Sequence, residues 1–239
     1  MYKHVLQLFA LIISLNLSAQ ETPLTGNREV KQPISNTNVP KIQFGIKLSP
    51  SIAWIEAIHN DVQSEGATLK FGIGGIASFE LTPLLSFVTG LNYNSFGGYV
   101  LDSASLRNSS VYETYKINYT EIEIPIALKL QTPYVNKTSY FVQGGFSIGF
   151  ITSAKEKYYP VAPNAEPIYA NINAYTSLGR IAYQIGAGVE YSVYRNSTVF
   201  GLISYNKSIS NLANNTNPRY SSLLKLLPGS MEFSIGVKF

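Results

Sequence analysis

The chain has 239 residues, a formal net charge of +4, 13% charged residues and 45% hydrophobic ones. Soluble domains carry about 25% charged residues, so half the usual solvated surface is missing, and the weak, scattered positive charge excludes a nucleic-acid partner. The lack of cysteine excludes disulfides, thiolate metal sites, cysteine nucleophiles and a lipid anchor on a processed cysteine.

Met1–Lys3 supplies a short positive start, Val5–Leu17 is mostly apolar, and Leu17-Ser18-Ala19 offers small residues for cleavage. Residues 1–19 therefore read as a secretory signal peptide; the apolar run falls short of the ~20 residues of a membrane helix, and no later segment reaches that length. Residues 20–41 are polar, with Pro23, Pro33 and Pro40, and read as a flexible periplasmic leader.

From Ile42 onward the chain alternates with a period of two, which places apolar side chains on one face of a strand and polar or small ones on the other. Eight segments follow in order: Ile42–Trp54, Leu69–Leu81, Leu85–Gly98, Thr114–Leu130, Ser139–Ile151, Gly179–Val193, Ser197–Ile209 and Ser230–Phe239. In the fourth, Ile122, Ile124, Ile126, Leu128 and Leu130 oppose Glu121, Glu123 and Lys129. Ile117 and Tyr119 break that parity, which predicts a bulge near Thr120. Most segments run about 10–15 residues, longer than the ~5–6 of ordinary strands and enough for the ~9–11 of a tilted membrane strand.

Short connections at Thr82–Leu84, Gln131–Thr138 and Tyr194–Asn196 alternate with long ones at Ile55–Thr68, Tyr99–Glu113, Thr152–Leu178 and Ser210–Gly229. Short periplasmic turns alternating with long outer loops is the outer-membrane arrangement. Lipid cannot satisfy an open sheet edge, so the sheet must close. The expected fold is all-β, an eight-stranded antiparallel up-and-down transmembrane β-barrel over residues 42–239 in the cell outer membrane.

So narrow a barrel holds little beyond its own side chains. The alternation sends Lys47, Lys70, Lys129, Arg180 and Lys238 inward together with Glu80, Glu121, Glu123, Glu190 and Glu232. Buried charges persist only when paired, so this balanced set implies an internal charge network that plugs the bore. Phe239 ends an alternating strand on an aromatic. Trp54, Tyr93, Tyr119, Tyr140, Tyr191 and Tyr205 fall near strand ends, where aromatics meet the membrane interfaces.

Catalytic readings are thin. Glu121 and Glu123 share a strand face, but glycosidase chemistry needs an open sugar cleft. His59 and Asp61 in the first outer loop lack an oriented third member. Gly186-Ala187-Gly188 lacks the third glycine and the helix of a dinucleotide loop; it reads, with Gly72/Gly74 and Gly144/Gly145, as relief of crowding. No enzyme activity, cofactor or metal is expected. The aromatic, proline-rich Lys155–Pro167 and the segment Tyr220–Leu227, read as outer-loop stretches, suit a protein partner or packing over the barrel mouth.

Glu123-Ile124-Pro125-Ile126-Ala127-Leu128-Lys129 resembles the Tyr-x-Glu-Ile-Pro-Leu-x-Leu-Lys strand of the PorT-like outer-membrane β-barrel family of Bacteroidota. Tyr140–Gly149 is similar to that family's next strand, and Ala187-Gly188-Val189-Glu190-Tyr191 to its later Gly-x-Gly-x-Glu strand. Glu121 departs from the family's usual tyrosine. The resemblance covers roughly Ile42–Phe239. It implies outer-membrane lipid and the barrel assembly machinery as partners, with Phe239 as the assembly signal. Asp102-Ser103-Ala104 resembles an O-glycosylation motif of the same bacteria. The expected role is a structural or interaction barrel with outward loops; a small-solute channel and an accessory component of secretion or gliding machinery are the alternatives.

Overall fold

The computed structural model describes residues 42–58, 62–102, 113–159, 166–194, 197–214 and 224–239. Its strands are β1 (Ile42–Ile58), β2 (Val62–Gly66), β3 (Thr68–Thr82), β4 (Leu85–Asp102), β5 (Glu113–Gln131), β6 (Thr138–Tyr159), β7 (Ile168–Asn171), β8 (Gly179–Tyr194), β9 (Ser197–Ser208) and β10 (Lys225–Lys238). The expected signal peptide and leader, His59, Asp61 and Ser103 lie outside the described residues.

Eight of these strands pair antiparallel in the cyclic order β1-β3-β4-β5-β6-β8-β9-β10, and β10 returns to β1. Closure leaves no edge for lipid to satisfy. The seam is tied at its end by reciprocal backbone bonds, Phe44 N–H to Phe239 O at 3.2 Å and Phe239 N–H to Phe44 O at 2.7 Å. Among the described residues no helix is long and apolar enough to cross a membrane; the strands make the crossing.

The outward face is a continuous apolar belt. Ile42, Phe44, Ile46 and Leu48 stand on it from β1, Ile122, Ile124, Ile126, Leu128 and Leu130 from β5, and Tyr140, Val142, Phe146, Ile148 and Phe150 from β6, all exposed. Aromatics mark its rims. Trp54 and Tyr205 pack at 6.1 Å, as do Tyr183 and Tyr205, at the rim with the long connections. Phe79 and Phe87 pack at 6.0 Å at the other. Tyr93, Tyr140 and Tyr191 also face outward, as expected of interfacial aromatics.

Tyr119 and Ile117 do not. Both are 1% exposed and turned into the barrel, which corrects the expectation that Tyr119 meets a membrane interface. The register does shift between Thr120 and Glu121, but Thr120 pairs with Ser153 and Glu121 with Ile151, so the extra residue is Thr152 on β6. β5 keeps its parity and β6 changes its own. The physical reason is that β5 leaves the lipid here. Above the belt, water lies outside and apolar side chains turn inward, as in any soluble core.

The outer connections hold more sheet than expected. β4, β5 and β6 run 18, 19 and 22 residues, and β6 is about twice the ~9–11 residues that a membrane crossing requires. β2 pairs with the outer part of β4 and β7 with the outer part of β6. The first five residues of Lys155–Pro167, expected as loop, therefore belong to β6, which runs to Tyr159.

Candidate functional site: the filled bore

Inward side chains form four layers from the short-turn end to the long-connection end. The first is ionic. Lys129 Nζ and Lys238 Nζ both donate to Glu190 Oε1, at 2.8 and 2.6 Å, and Tyr134 from the turn donates to Glu190 Oε2 at 2.9 Å. Burial, reinforced by the Glu190 carboxylate, holds the Tyr134 phenol above its usual pKa, so it stays a donor. Glu80 is half-buried at the same mouth and has no ion pair among the described residues.

The second layer is apolar: Phe141, Phe200 and Leu202, with Ile76 against them. Lys129 and Lys238 lie over the Phe141 and Phe200 rings at 5.4 and 5.9 Å, so two cations are held between a carboxylate and aromatic faces.

The third layer is ionic again. Arg180 Nε donates to Glu121 Oε2 at 2.8 Å, and Arg180 Nη2 to Glu121 Oε1 at 2.5 Å and Glu123 Oε2 at 2.8 Å. Asn92 and Asn94 donate to Glu123 Oε1 at 3.0 and 3.3 Å. Lys47 reaches Glu232 at 2.9 Å, and Ser234 donates to the same carboxylate at 2.6 Å. A fork held by both carboxylates suits guanidinium geometry.

The fourth layer, above the lipid belt, is an apolar plug of Ala53, Ile55, Phe96, Val100, Ile117, Tyr119, Leu212, Leu224 and Leu226. Phe96 stacks on Tyr119 at 5.2 Å, and Arg180 lies 4.8 Å from the Phe96 ring. The two apolar layers correct the picture of a wholly ionic interior.

Inward glycines seat the large groups. A Cβ at Gly149 would collide with Glu121 Oε2, one at Gly74 with Asn92 Oδ1, and one at Gly188 with the Phe141 ring. Each glycine is the floor on which a neighbouring strand's side chain lies. Gly149→Val is expected to lift Glu121 off Arg180 and to cost about 2–3 kcal/mol, read as a lower urea midpoint of the folded band; an unchanged midpoint would show that Glu121 is not seated there.

Of the ten charges read into the bore, Lys47, Glu121, Glu123, Lys129, Arg180, Glu190, Glu232 and Lys238 meet in three ion-paired groups within the two ionic layers. Lys70 does not join them. It donates to Asn118, which alternates with inward Ile117 and Tyr119 and so stands on the outer face. Lys70 keeps the inward parity of β3, opposite buried Ser51 and between exposed Leu69 and Phe71, but the β3–β4 ladder is interrupted between Gly66↔Tyr99 and Gly72↔Asn94, and its ammonium reaches Asn118 instead of the carboxylates of the bore. Sequence reasoning also missed Phe96, Phe141, Phe200 and Leu202; their inward parity was the available signal.

Among the described residues, a pocket of about 630 Å³ opens at the short-turn mouth among Glu80, Lys129, Gln131, Tyr134 and Glu190, and two small cavities lie deeper. One of about 30 Å³ lies among Lys47, Val88, Asn92, Phe141 and Phe200, and one of about 20 Å³ lies beside Glu121, Arg180 and Glu232. Each has room for roughly one or two waters.

The family model described as outer membrane protein beta-barrel domain matches residues 14–214. Among solved structures, the chain is similar to Neisserial surface protein A, at 12% identity over 82% of this chain and 97% of that one, with a TM-score of 0.43. A major outer membrane protein from Thermus thermophilus shows 9% identity over 83% and 100%, with a TM-score of 0.46. The attachment invasion locus protein of Yersinia pestis, in complex with the heparin analogue sucrose octasulfate, shows 11% identity over 83% and 99%, with a TM-score of 0.39. No curated protein matches the chain.

Proposed function

This chain belongs to the outer membrane protein beta-barrel domain family and resides in the outer membrane, and from that premise we propose that it is a sealed structural and interaction barrel. The observation that carries this reading is the filled bore: beyond the pocket at the short-turn mouth, ionic, apolar, ionic and apolar layers stand across it, with cavities of about 30 and 20 Å³ among them. Ion passage would have to break the Arg180 fork and the apolar plug together. The outer halves of β4, β5 and β6, with β2 and β7, form a rigid sheet beyond the lipid, suited to presenting a surface rather than to gating.

Planar-bilayer recording of the purified full chain tests this. The expected result is a silent membrane at moderate voltage after insertion; steady single-channel steps would favour a small-solute channel and remove the reading. Within the family we place the chain among PorT-like barrels, on the strand Glu123–Lys129 and its neighbours Tyr140–Gly149 and Ala187–Tyr191. A PorT-like barrel in which the Glu-Ile-Pro strand takes a different position in the barrel would undo that placement.

A further inference from the structure

The wide pocket at the short-turn mouth carries two charges that the filled bore does not use. Glu80 stands near the end of β3, half-buried and inward. Lys137 stands on the turn that leads into β6. The other charges lining the pocket, Lys129 and Glu190, are bound to each other at 2.8 Å. Among the described residues, neither Glu80 nor Lys137 has an ion pair or a side-chain hydrogen bond.

Register sets the two across the mouth from one another. Glu80 pairs with Ser86 on β4, Ser86 with Lys129 on β5 and Lys129 with Gln143 on β6. Three strand steps of an eight-stranded ring therefore separate Glu80 from the strand that Lys137 begins. Strands ~4.8 Å apart and tilted ~40° enclose a mouth roughly 15 Å wide, which leaves on the order of 5 Å between the charges once both side chains reach inward. Lys137 is also fixed in an unusual way. Val135 and Thr138 exchange backbone hydrogen bonds at 2.8 and 3.0 Å around Asn136 and Lys137, whose φ angles are 49° and 69°. That is a type I′ corner, whose second residue is ordinarily glycine. A lysine held in the left-handed region is strained, and such strain gathers at binding sites.

We propose that this pocket binds a short zwitterionic peptide from the periplasmic side, with the peptide's ammonium on Glu80 and its carboxylate on Lys137. The charges decide the class. Lys129 and Lys238 share the one carboxylate of Glu190 beneath the pocket, so a ligand of net positive charge would meet an uncompensated lysine, and one of net negative charge would meet Glu80. A zwitterion offers each the opposite sign and adds no net charge. One or two residues of extended chain, at ~3.3–3.6 Å each, span the gap. Pro83, Pro133 and the Tyr134 ring supply apolar walls, and the volume of about 630 Å³ lies within the ~300–1,000 Å³ of small-molecule sites. Gln131 lines the same wall, and its buried side-chain oxygen lacks a partner, which a peptide N–H reaching it would supply. The Glu190 layer is the floor, so the ligand sits outside the filled bore, and the site does not depend on whether the barrel conducts.

The test is isothermal titration of the full chain in detergent micelles with the dipeptide alanyl-leucine and with its N-acetyl and C-amide forms, which lack the ammonium and the carboxylate in turn. The expected result is saturable one-to-one binding of the free dipeptide and at least tenfold weaker binding of each blocked form. Glu80→Gln weakens the free dipeptide at least tenfold and leaves the N-acetyl form unchanged. Lys137→Gly weakens the free dipeptide to the same degree and leaves the C-amide form unchanged. Glycine suits that corner better than lysine, so Lys137→Gly keeps the fold, and heat-modifiable gel mobility confirms folding of both variants. Lys225→Gln, at the long-connection end of β10, binds the dipeptide as the parent does. Absence of saturable binding at millimolar dipeptide overturns the proposal. So do blocked forms that bind as well as the free dipeptide, or pocket variants that keep the parent affinity. A blocked form that binds more tightly than the free dipeptide would assign the pocket to a simple ion and overturn it as well.

Discussion

Replacing Arg180 by alanine is expected to destabilise the folded barrel by about 3–5 kcal/mol. The guanidinium is the shared partner of Glu121 and Glu123, which are 0% and 7% exposed. Alanine leaves two carboxylates facing one another with only the Asn92 and Asn94 amides and no cation in contact. Most of the loss is the cost of that orphaned charge rather than the net worth of the ion pairs. Adding Glu121→Gln and Glu123→Gln to the Arg180 variant is therefore expected to recover more than half of the loss. Arg180→Lys is expected to fall between the two, because an ammonium cannot hold both carboxylates as a fork. Urea titration followed by the single tryptophan, Trp54, measures all four proteins. A loss under about 1 kcal/mol for the alanine variant would mean that water already reaches these carboxylates.

Ile117→Asp should be comparably severe but local. Ile117 is 1% exposed within the outer apolar plug. The change removes a buried side chain worth about 2–5 kcal/mol and places an unpaired carboxylate among Phe96, Tyr119 and Leu226. Because the plug lies above the belt, the expected consequence is opening of the outer sheet while the membrane-embedded part stays closed. Limited proteolysis from the outside should then cut the outer parts of β4, β5 and β6 at least tenfold faster, with heat-modifiable mobility retained. Ile117→Val, at about 0.5–1.5 kcal/mol, should leave the cleavage rate near that of the parent. Loss of folding in both variants alike would argue that plug and barrel form one cooperative unit.

What the sequence disclosed was governed by lipid. Between Ile122 and Leu130, or Tyr140 and Phe150, each outward residue meets hydrocarbon, so alternation is enforced and the strands, their faces and their neighbours can be read directly. The same constraint made Glu121, Glu123, Arg180 and Glu190 recognisable as inward charges, although which carboxylate meets which cation depends on register across strands that are distant in sequence. Above the belt the constraint ends. Ile117 and Tyr119 obey the rule of a soluble core, and apolarity no longer reports which side faces out. Lys70 keeps the parity read for it, but its partner Asn118 lies across an interrupted β3–β4 ladder, which counting along one strand does not reveal. The apolar layer of Phe141, Phe200 and Leu202 was hidden for a different reason: an inward aromatic in a strand whose outward residues are also apolar leaves no contrast to count.

The central claim is a closed barrel with a filled, layered bore, and a spin-label scan of β5 tests it most directly. The chain has no native cysteine, so single cysteines can be placed at positions 116, 117, 122, 124, 126 and 127 without background labelling. The account predicts relaxation by lipid-dissolved oxygen at 122, 124 and 126, relaxation by a water-soluble nickel complex at 116, and protection from both at 117 and 127. Strong nickel relaxation at 127 together with oxygen protection at 124 would put water in the bore and the isoleucine row inside it, and would contradict the account.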